Sequence, residues 1–150
     1  MTWPPPHALA TPAAINTVVE ELWPGGASGV AVATGPTWAI ASMTPEPKTL
    51  RPGAIISGPT VFALSDCALW YALFASVGIE PMALTSELSI RYLRPARGTT
   101  LYARADIHHA GRRSVIGSVR CWMDDATGET VPSVAVAQGT YVRPKQSVRG

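Results

Sequence analysis

The feature that most constrains the fold is an almost uninterrupted apolar run, Pro59–Ile79, whose single charged side chain is Asp66. Its length would suffice to cross a membrane. An aspartate at the centre of a bilayer costs on the order of 2.5–3.5 kcal/mol, however, and no basic cluster flanks the run to fix an orientation. We therefore predict a helix that is buried inside protein and makes no membrane contact.

The residues at both ends of this run predict where the helix begins and ends. Ser57 or Gly58 can serve as the N-cap, and Pro59 suits the first turn. Gly78, followed by Pro81, is a typical stop. The predicted helix has about 20 residues and is about 30 Å long. Because it is apolar on almost every side, other elements must surround it.

Strands dominate the chain after this helix. Alternating apolar and polar residues predict strands over Thr85–Leu93, Thr99–His109, Arg113–Met123 and Ser133–Val142. In the first of these strands, the alternation places Ser86, Leu88, Ile90 and Tyr92 on the same face. Before the long helix, the sequence predicts a short amphipathic helix over Pro12–Trp23 and strand pieces within Ser28–Met43. The predicted class is α+β, with a curved antiparallel sheet that wraps a central helix.

Length and composition fit one domain. The 150 residues are 47% hydrophobic and 15% charged, which excludes a disordered, charge-rich chain. We expect a disordered leader over residues 1–9, the domain over residues 10–144 and a C-terminal tail over residues 145–150. The net charge of +2 is too small and too scattered for a protein that binds a nucleic-acid backbone.

The cysteines and the glycine patterns predict the compartment and the absence of cofactors. Cys67 and Cys121 lie in unrelated segments without metal-binding spacing, which favours a reduced cytoplasm and no metal. The chain has no Gly-x-Gly-x-x-Gly, Gly-Lys-Ser/Thr or Gly-x-Ser-x-Gly motif. We therefore predict chemistry without a cofactor and without a serine nucleophile.

Asp66 is the candidate for that chemistry. It is the only acidic or basic residue between Arg51 and Glu80, and a carboxylate taken out of water must be hydrogen-bonded or paired. One interpretation is a functional carboxylate, and the other is a structural group that bonds a neighbouring backbone. The helix N-terminus at Ser57 and Gly58 offers unpaired N–H groups and a positive dipole end, which suit a developing oxyanion.

Four segments together carry a resemblance to a known family. They are Ile56–Asp66 (ISGPTVFALSD), Leu84–Ala96, Ala110–Arg113 and Ala137–Tyr141. In this order and spacing, over about residues 50–143, the sequence resembles the hot-dog thioesterases of the phenylacetate-pathway type. The resemblance implies a hot-dog fold, a homodimer with two sites at its interface that pairs into a homotetramer, and an acyl-CoA substrate.

The resemblance also implies roles for individual residues. Asp66 would act as the base or the nucleophile against the thioester, the Gly58 N–H would stabilise the oxyanion, and Thr85 would orient water. Ser57 replaces the family's usual histidine, and Pro59 replaces its second glycine and removes one N–H. 

Arginines are the candidate substrate-binding cations. Arg51 stands where the family usually has Asn or Gln, and with Ser57 it is assigned to substrate binding. Arg112 and Arg113 form a basic turn that is either a solvated hairpin end or a phosphate site. The resemblance favours the second interpretation, with CoA phosphates as the ligand.

These assignments predict an acyl-CoA thioesterase of the cytoplasm. The departures at Arg51 and Pro59 keep open an alternative of another class, a catalytically weak module that binds acyl-CoA or another acyl ligand. The acyl group is undefined, although Trp70, Tyr71 and Phe74 are candidates for a substrate tunnel or for the core.

Overall fold

The computed structural model describes residues 2–145. Its helices and strands are, in chain order, α1 (Pro12–Leu22), β1 (Val30–Gly35), β2 (Trp38–Met43), a 3₁₀ turn (Pro47–Thr49), β3 (Leu50–Arg51), β4 (Ile55–Ile56), α2 (Gly58–Val77), β5 (Leu84–Tyr92), β6 (Leu101–Ala110), β7 (Ser114–Met123) and β8 (Ala135–Val142). Six of the strands form one sheet in the order β1-β2-β6-β7-β8-β5, and every neighbouring pair in it is antiparallel. β3 and β4 form a separate small hairpin.

Helix α2 is the core of the molecule. It runs from Gly58 to Val77, with Ser57 as N-cap and Gly78, at φ 105°, as C-cap. Twelve of its residues are buried, on all sides of the helix, because the curved sheet wraps it. This arrangement is the hot-dog fold, and it confirms the predicted α+β class. Of the helices in residues 2–145, α2 is also the one long and apolar enough to span a membrane, and here it is the buried core helix.

Two glycines let the sheet approach α2 closely. Gly117 of β7 and Gly139 of β8 are cross-strand partners. A Cβ atom at Gly117 would lie 2.7 Å from the Leu69 side chain of α2, and one at Gly139 would lie 3.1 Å from it. These distances are shorter than van der Waals contact, so a larger residue at either position would displace the Leu69 side chain.

Strand β5 contains a β-bulge that changes its inward face. Its pairing with β8 is regular except between Thr85 and Glu87, where Ser86 is the extra residue. Leu88 and Ile90 pack against the core as predicted. The prediction that Ser86 shares this face is wrong, because the bulge shifts the alternation by one residue and turns Thr85 towards α2 instead.

The N-terminal segment, which we predicted to be a disordered leader, contacts the core. Residues 2–9 form no helix or strand, yet Trp3 packs against the core and the Leu9 N–H donates to the Ala75 carbonyl at 2.8 Å. Hydrophobic burial of Trp3 thus ties down a segment that we expected to be a disordered leader. The predicted C-terminal tail lies outside the described residues, except for Lys145.

Candidate active site

The Asp66 carboxylate lies in the third turn of α2, where the helix faces β5 and β8. The Thr85 hydroxyl donates a hydrogen bond to Asp66 Oδ1 at 2.7 Å. The Tyr141 hydroxyl donates to the same oxygen at 2.6 Å and to the Asp66 carbonyl at 3.1 Å. Asp66 is half-buried, so two hydroxyl groups bind a carboxylate that still reaches the surface of the chain.

No cation shares this cluster within residues 2–145, where the ion pairs are those of Lys48 with Glu46, Arg104 with Asp106 and Arg143 with Glu80. The carboxylate therefore depends on neutral donors. 

The titratable neighbours of Asp66 are neutral at physiological pH. Burial, the hydrogen bond to Asp66 and the charge of Asp66 raise the pKa of Tyr141 far above its ordinary value. Burial also raises the pKa of the Cys67 thiol to about 11. Tyr141 thus remains a hydrogen-bond donor, and Cys67 is not available as a thiolate.

The N-terminus of α2 forms the second part of the candidate site. Gly58 is the first helical residue, so helix geometry leaves its N–H without an intrahelical partner. The Ser57 hydroxyl bonds the Thr60 hydroxyl at 2.7 Å and does not cap the backbone. The Tyr92 hydroxyl of β5 donates to the Gly58 carbonyl at 2.7 Å. Gly58 is therefore tied to the end of β5 that lies far from Thr85.

A cavity of about 420 Å³ opens beside Gly58. Its walls are mostly apolar, and two arginines, Arg51 and Arg94, also line it. The structure thus brings together two of the predicted site residues, Gly58 and Arg51. Its apolar surface and its cationic groups suit a ligand that has both an apolar and an anionic part.

Gly58 and Asp66 of one chain are too far apart to act on the same carbonyl group. They are eight residues apart on α2, which corresponds to about 12 Å along the helix axis. An oxyanion donor and a base must both lie about 3 Å from the reacting group. Within one chain, the structure therefore does not bring the predicted oxyanion donor and the predicted base together.

The basic turn lies at the other end of α2. Arg112 lines a cavity with Ser76 and Val77, the last residues of the helix. Arg112 and Arg113 also border a second cavity with Arg143, Pro144 and Lys145. Val77 is nineteen residues beyond Gly58, or roughly 29 Å along the helix. Within one chain, these arginines are thus not brought to Gly58.

The candidate tunnel aromatics belong to the core. Tyr71 and Phe74 are at most 1% exposed, and Trp70 packs on Phe74 with ring centroids 4.9 Å apart. The Tyr71 hydroxyl donates to the Gly29 carbonyl at 2.6 Å. These contacts are those of core residues.

Sequence reasoning gave no role to two tyrosines of the site. Tyr141 and Tyr92 both lie on segments that carry the family resemblance. The alternation of residues along each strand could have predicted that their side chains face α2. Their contacts with Asp66 and Gly58 depend on which strands become neighbours. Within the described residues, no group of three His, Cys, Asp or Glu side chains is placed to hold a metal ion.

Comparison with known proteins defines the class. The family profile of the thioesterase superfamily matches residues 53–130, which is more than half of the chain. The chain belongs to this superfamily. It is a thioester hydrolase with the hot-dog fold. Among curated proteins, no match to the sequence is found.

Solved structures support the same assignment. A protein of Silicibacter sp. TM1040 assigned as a thioesterase has a TM-score of 0.77 at 25% identity, over 92% of this chain and 94% of that one. A thioesterase of Haemophilus influenzae has a TM-score of 0.77 at 18% identity over 100% of both chains. The PaaI protein of the phenylacetic acid degradation operon of E. coli has a TM-score of 0.73 at 21% identity, over 93% and 99%. The last two share the fold with this chain.

Proposed function

We propose that this thioester hydrolase acts on acyl-CoA and that Asp66 is its base or nucleophile. The observation that carries the proposal is the Asp66 carboxylate, held at one oxygen by Thr85 and Tyr141 at 2.7 and 2.6 Å and free of any cationic partner among the described residues. A structural carboxylate would gain most from a full set of partners, whereas this one remains half-exposed.

In the base mechanism, Asp66 takes a proton from water as the water oxygen bonds to the thioester carbonyl carbon. The carbonyl π electrons move to oxygen, where the Gly58 N–H stabilises the oxyanion. The tetrahedral intermediate then collapses, the C–S bond breaks, and the proton on Asp66 passes to the leaving thiolate. The products are a carboxylic acid and a thiol. In the nucleophilic variant, an Asp66 oxygen bonds to the thioester carbonyl carbon and the C–S bond breaks, so that the thiolate leaves and a mixed anhydride forms. Water then hydrolyses the anhydride, which releases the carboxylic acid and frees the Asp66 carboxylate.

A homodimer formed through β5 would complete the site. β5 is an edge strand of the sheet, and its unpaired edge can pair with a second copy. Antiparallel self-pairing centred on Leu88, the middle residue of Leu84–Tyr92, would put each end of β5 beside the opposite end of its copy. Thr85, which bonds Asp66, would then lie near Tyr92 of the second copy, which bonds Gly58.

This pairing joins the two half-sites that one chain keeps about 12 Å apart. Asp66 and Thr85 would come from one protomer and Gly58, Ser57 and Arg51 from the other. Exposed apolar residues at both ends of β5, including Leu84 at 68% and Tyr92 at 53%, support an interface there. Pairing of two dimers into a homotetramer remains part of the proposal.

Arg112 and Arg113 are proposed to bind the CoA phosphates. Three arginines and Lys145 around one cavity support an anionic ligand, because guanidinium groups bind phosphate oxygens in pairs. A cytoplasmic location is also proposed, supported by the free, buried thiols of Cys67 and Cys121.

A catalytically weak acyl-CoA binding module is the second candidate function. Pro59 at the helix N-terminus supplies no N–H, so the backbone there has one donor fewer than the family pattern. Arg51, which stands where the family usually has Asn or Gln, lines the cavity beside Gly58. Release of free thiol from acetyl-, hexanoyl- and phenylacetyl-CoA by the purified protein distinguishes the two. Turnover of one of them supports the hydrolase, whereas saturable binding without turnover supports the module.

A further inference from the structure

We propose that Tyr141 is a positioning residue for the reaction at Asp66: its hydroxyl and that of Thr85 occupy Oδ1, so that Oδ2 is the oxygen that reacts. This inference rests on the proposed function of Asp66. It adds a residue to the site and assigns the two carboxylate oxygens different tasks.

The pairing of β5 with β8 brings the two hydroxyls together. Thr85 and Tyr141 are direct cross-strand partners, and the bulge at Ser86 lets Thr85 face α2 on the same side of the sheet as Tyr141. Side chains of opposed residues lie about 5 Å apart at their Cβ atoms. One carboxylate oxygen can therefore accept from both hydroxyls.

The two hydrogen bonds distinguish the oxygens of Asp66. Both donate to Oδ1, at 2.6 and 2.7 Å, and Oδ2 receives no hydrogen bond from any residue of 2–145. An ionised carboxylate has about four acceptor sites, two on each oxygen. The hydroxyls fill those of Oδ1, which leaves Oδ2 open to water or to a thioester carbonyl carbon.

Tyr141 can hold this position firmly because it is buried. It is 5% exposed, so its ring is fixed by the core and its hydroxyl by Asp66. Burial and the neighbouring charge raise the pKa of Tyr141, which keeps it a donor over the working pH range. A buried ring also has no surface with which to bind substrate.

The other titratable groups near Asp66 do not supply charge to it. On α2, the Cys67 thiol has a pKa of about 11 because of burial. On β5, Glu87 borders a different cavity with His108, on the other face of the sheet. On β8, Tyr141 is the titratable side chain that contacts Asp66. Loss of its hydroxyl therefore removes one of the two groups that hold Asp66 Oδ1.

The test compares Tyr141→Phe with Tyr71→Phe. The first removes only the hydroxyl that bonds Asp66. The second removes the hydroxyl of a buried tyrosine on α2. That hydroxyl makes an equally short hydrogen bond, 2.6 Å, but to the Gly29 carbonyl and not to Asp66. Any general cost of losing a buried tyrosine hydroxyl should be common to both, and thermal melts measure it.

For Tyr141→Phe, we expect kcat to fall roughly tenfold with little change in KM, since a charge-assisted hydrogen bond is lost that the substrate does not touch. Tyr71→Phe should leave kcat near the wild-type value. An unchanged kcat in a folded Tyr141→Phe protein would overturn the positioning role.

A second measurement does not depend on turnover. Carbon-13 NMR of the aspartate carboxyl carbons at one pH, with the Asp66 signal assigned by Asp66→Asn, reports hydrogen bonding to the Asp66 carboxylate directly in each variant. The chemical shift of that signal should change in Tyr141→Phe and not in Tyr71→Phe. If wild-type protein hydrolyses no thioester, the proposed function fails, and the NMR comparison still decides whether Tyr141 holds the carboxylate. An unchanged Asp66 signal in Tyr141→Phe would refute that contact.

Discussion

At the scale of single residues, Asp66 is bound by hydroxyl groups where many buried carboxylates are bound by arginine or lysine. A nearby cation strongly favours the charged form of a carboxylate, which makes it a poorer proton acceptor. Neutral hydroxyls fix the orientation of the group with a smaller electrostatic effect. Thr85 and Tyr141 thus orient Asp66 in a way that is compatible with general-base work.

Thr85 provides the prediction at this scale. Thr85→Val removes the donor at 2.7 Å from Asp66 Oδ1 while keeping the shape of the side chain, so kcat should fall roughly tenfold. Thr85→Ser keeps a hydroxyl at the same position and should retain activity near that of the wild type. Steady-state kinetics with the best CoA ester provide the comparison. Equal kcat values for both variants would remove the Thr85 hydroxyl from the mechanism.

At the scale of elements, the first turn of α2 is where the backbone itself is expected to do chemistry. Ser57 has φ −64° and ψ 149°, a conformation compatible with a following proline, and proline is tolerated at the first helical position. Gly58→Pro can therefore remove the proposed oxyanion donor without breaking the helix. The matched control is Gly58→Ala, which keeps the N–H and adds a Cβ that would lie 3.3 Å from the Tyr92 ring.

We expect Gly58→Pro to lower kcat by roughly 10²–10³, the range for loss of one oxyanion donor, and Gly58→Ala to lower it much less. Co-expression of Gly58→Pro with Asp66→Asn then tests whether the two halves come from different chains. A mixed dimer would contain one intact site and should recover about half of the wild-type activity. Inactive mixed dimers would place Gly58 and Asp66 in the same site of one chain.

The central helix and the strands could be predicted from sequence because local patterns specify them. The apolar run, with Ser57 or Gly58 as its N-cap and Gly78 as its stop, predicted the bounds of α2, and the cost of burying a lone carboxylate singled out Asp66. The bulge at Ser86 could not be predicted in this way, because the pairing of β5 with β8 produces it. The Tyr141–Asp66 contact joins residues 75 positions apart, so it too depends on tertiary structure.

At the scale of the whole molecule, the proposed site needs Gly58 and Asp66 together, whereas one chain keeps them about 12 Å apart along α2 and has an edge strand, β5, beside them. The protein should therefore be at least a dimer, and light scattering at micromolar concentration should give no particle of 15.8 kDa. Leu84→Arg, at the exposed end of β5, should weaken the dimer because it places a charge in the apolar interface beside the opposite end of the second β5, and it should lower activity in parallel. Val30→Arg, on the other edge strand and 54% exposed, is the control. A fully active monomer would contradict this assembly.

The basic turn is also a whole-molecule feature, since it lies at the far end of α2 from Gly58. If Arg112 and Arg113 bind CoA phosphates, replacing both with Ala should raise KM for CoA esters with little change in kcat, because such binding is equal in ground and transition states. The effect should shrink at high salt. An unchanged KM would identify the turn as a solvated hairpin end.

The central claim is that the Asp66 carboxylate carries out the reaction, and turnover by Asp66→Asn tests it most directly. The amide can still accept the hydrogen bonds from Thr85 and Tyr141, but it has neither the charge nor the basicity of the carboxylate. We expect kcat to fall by roughly 10²–10⁴, with a melting temperature equal to or above that of the wild type, because functional sites commonly reduce stability. Full turnover by the folded Asp66→Asn protein would contradict the claim.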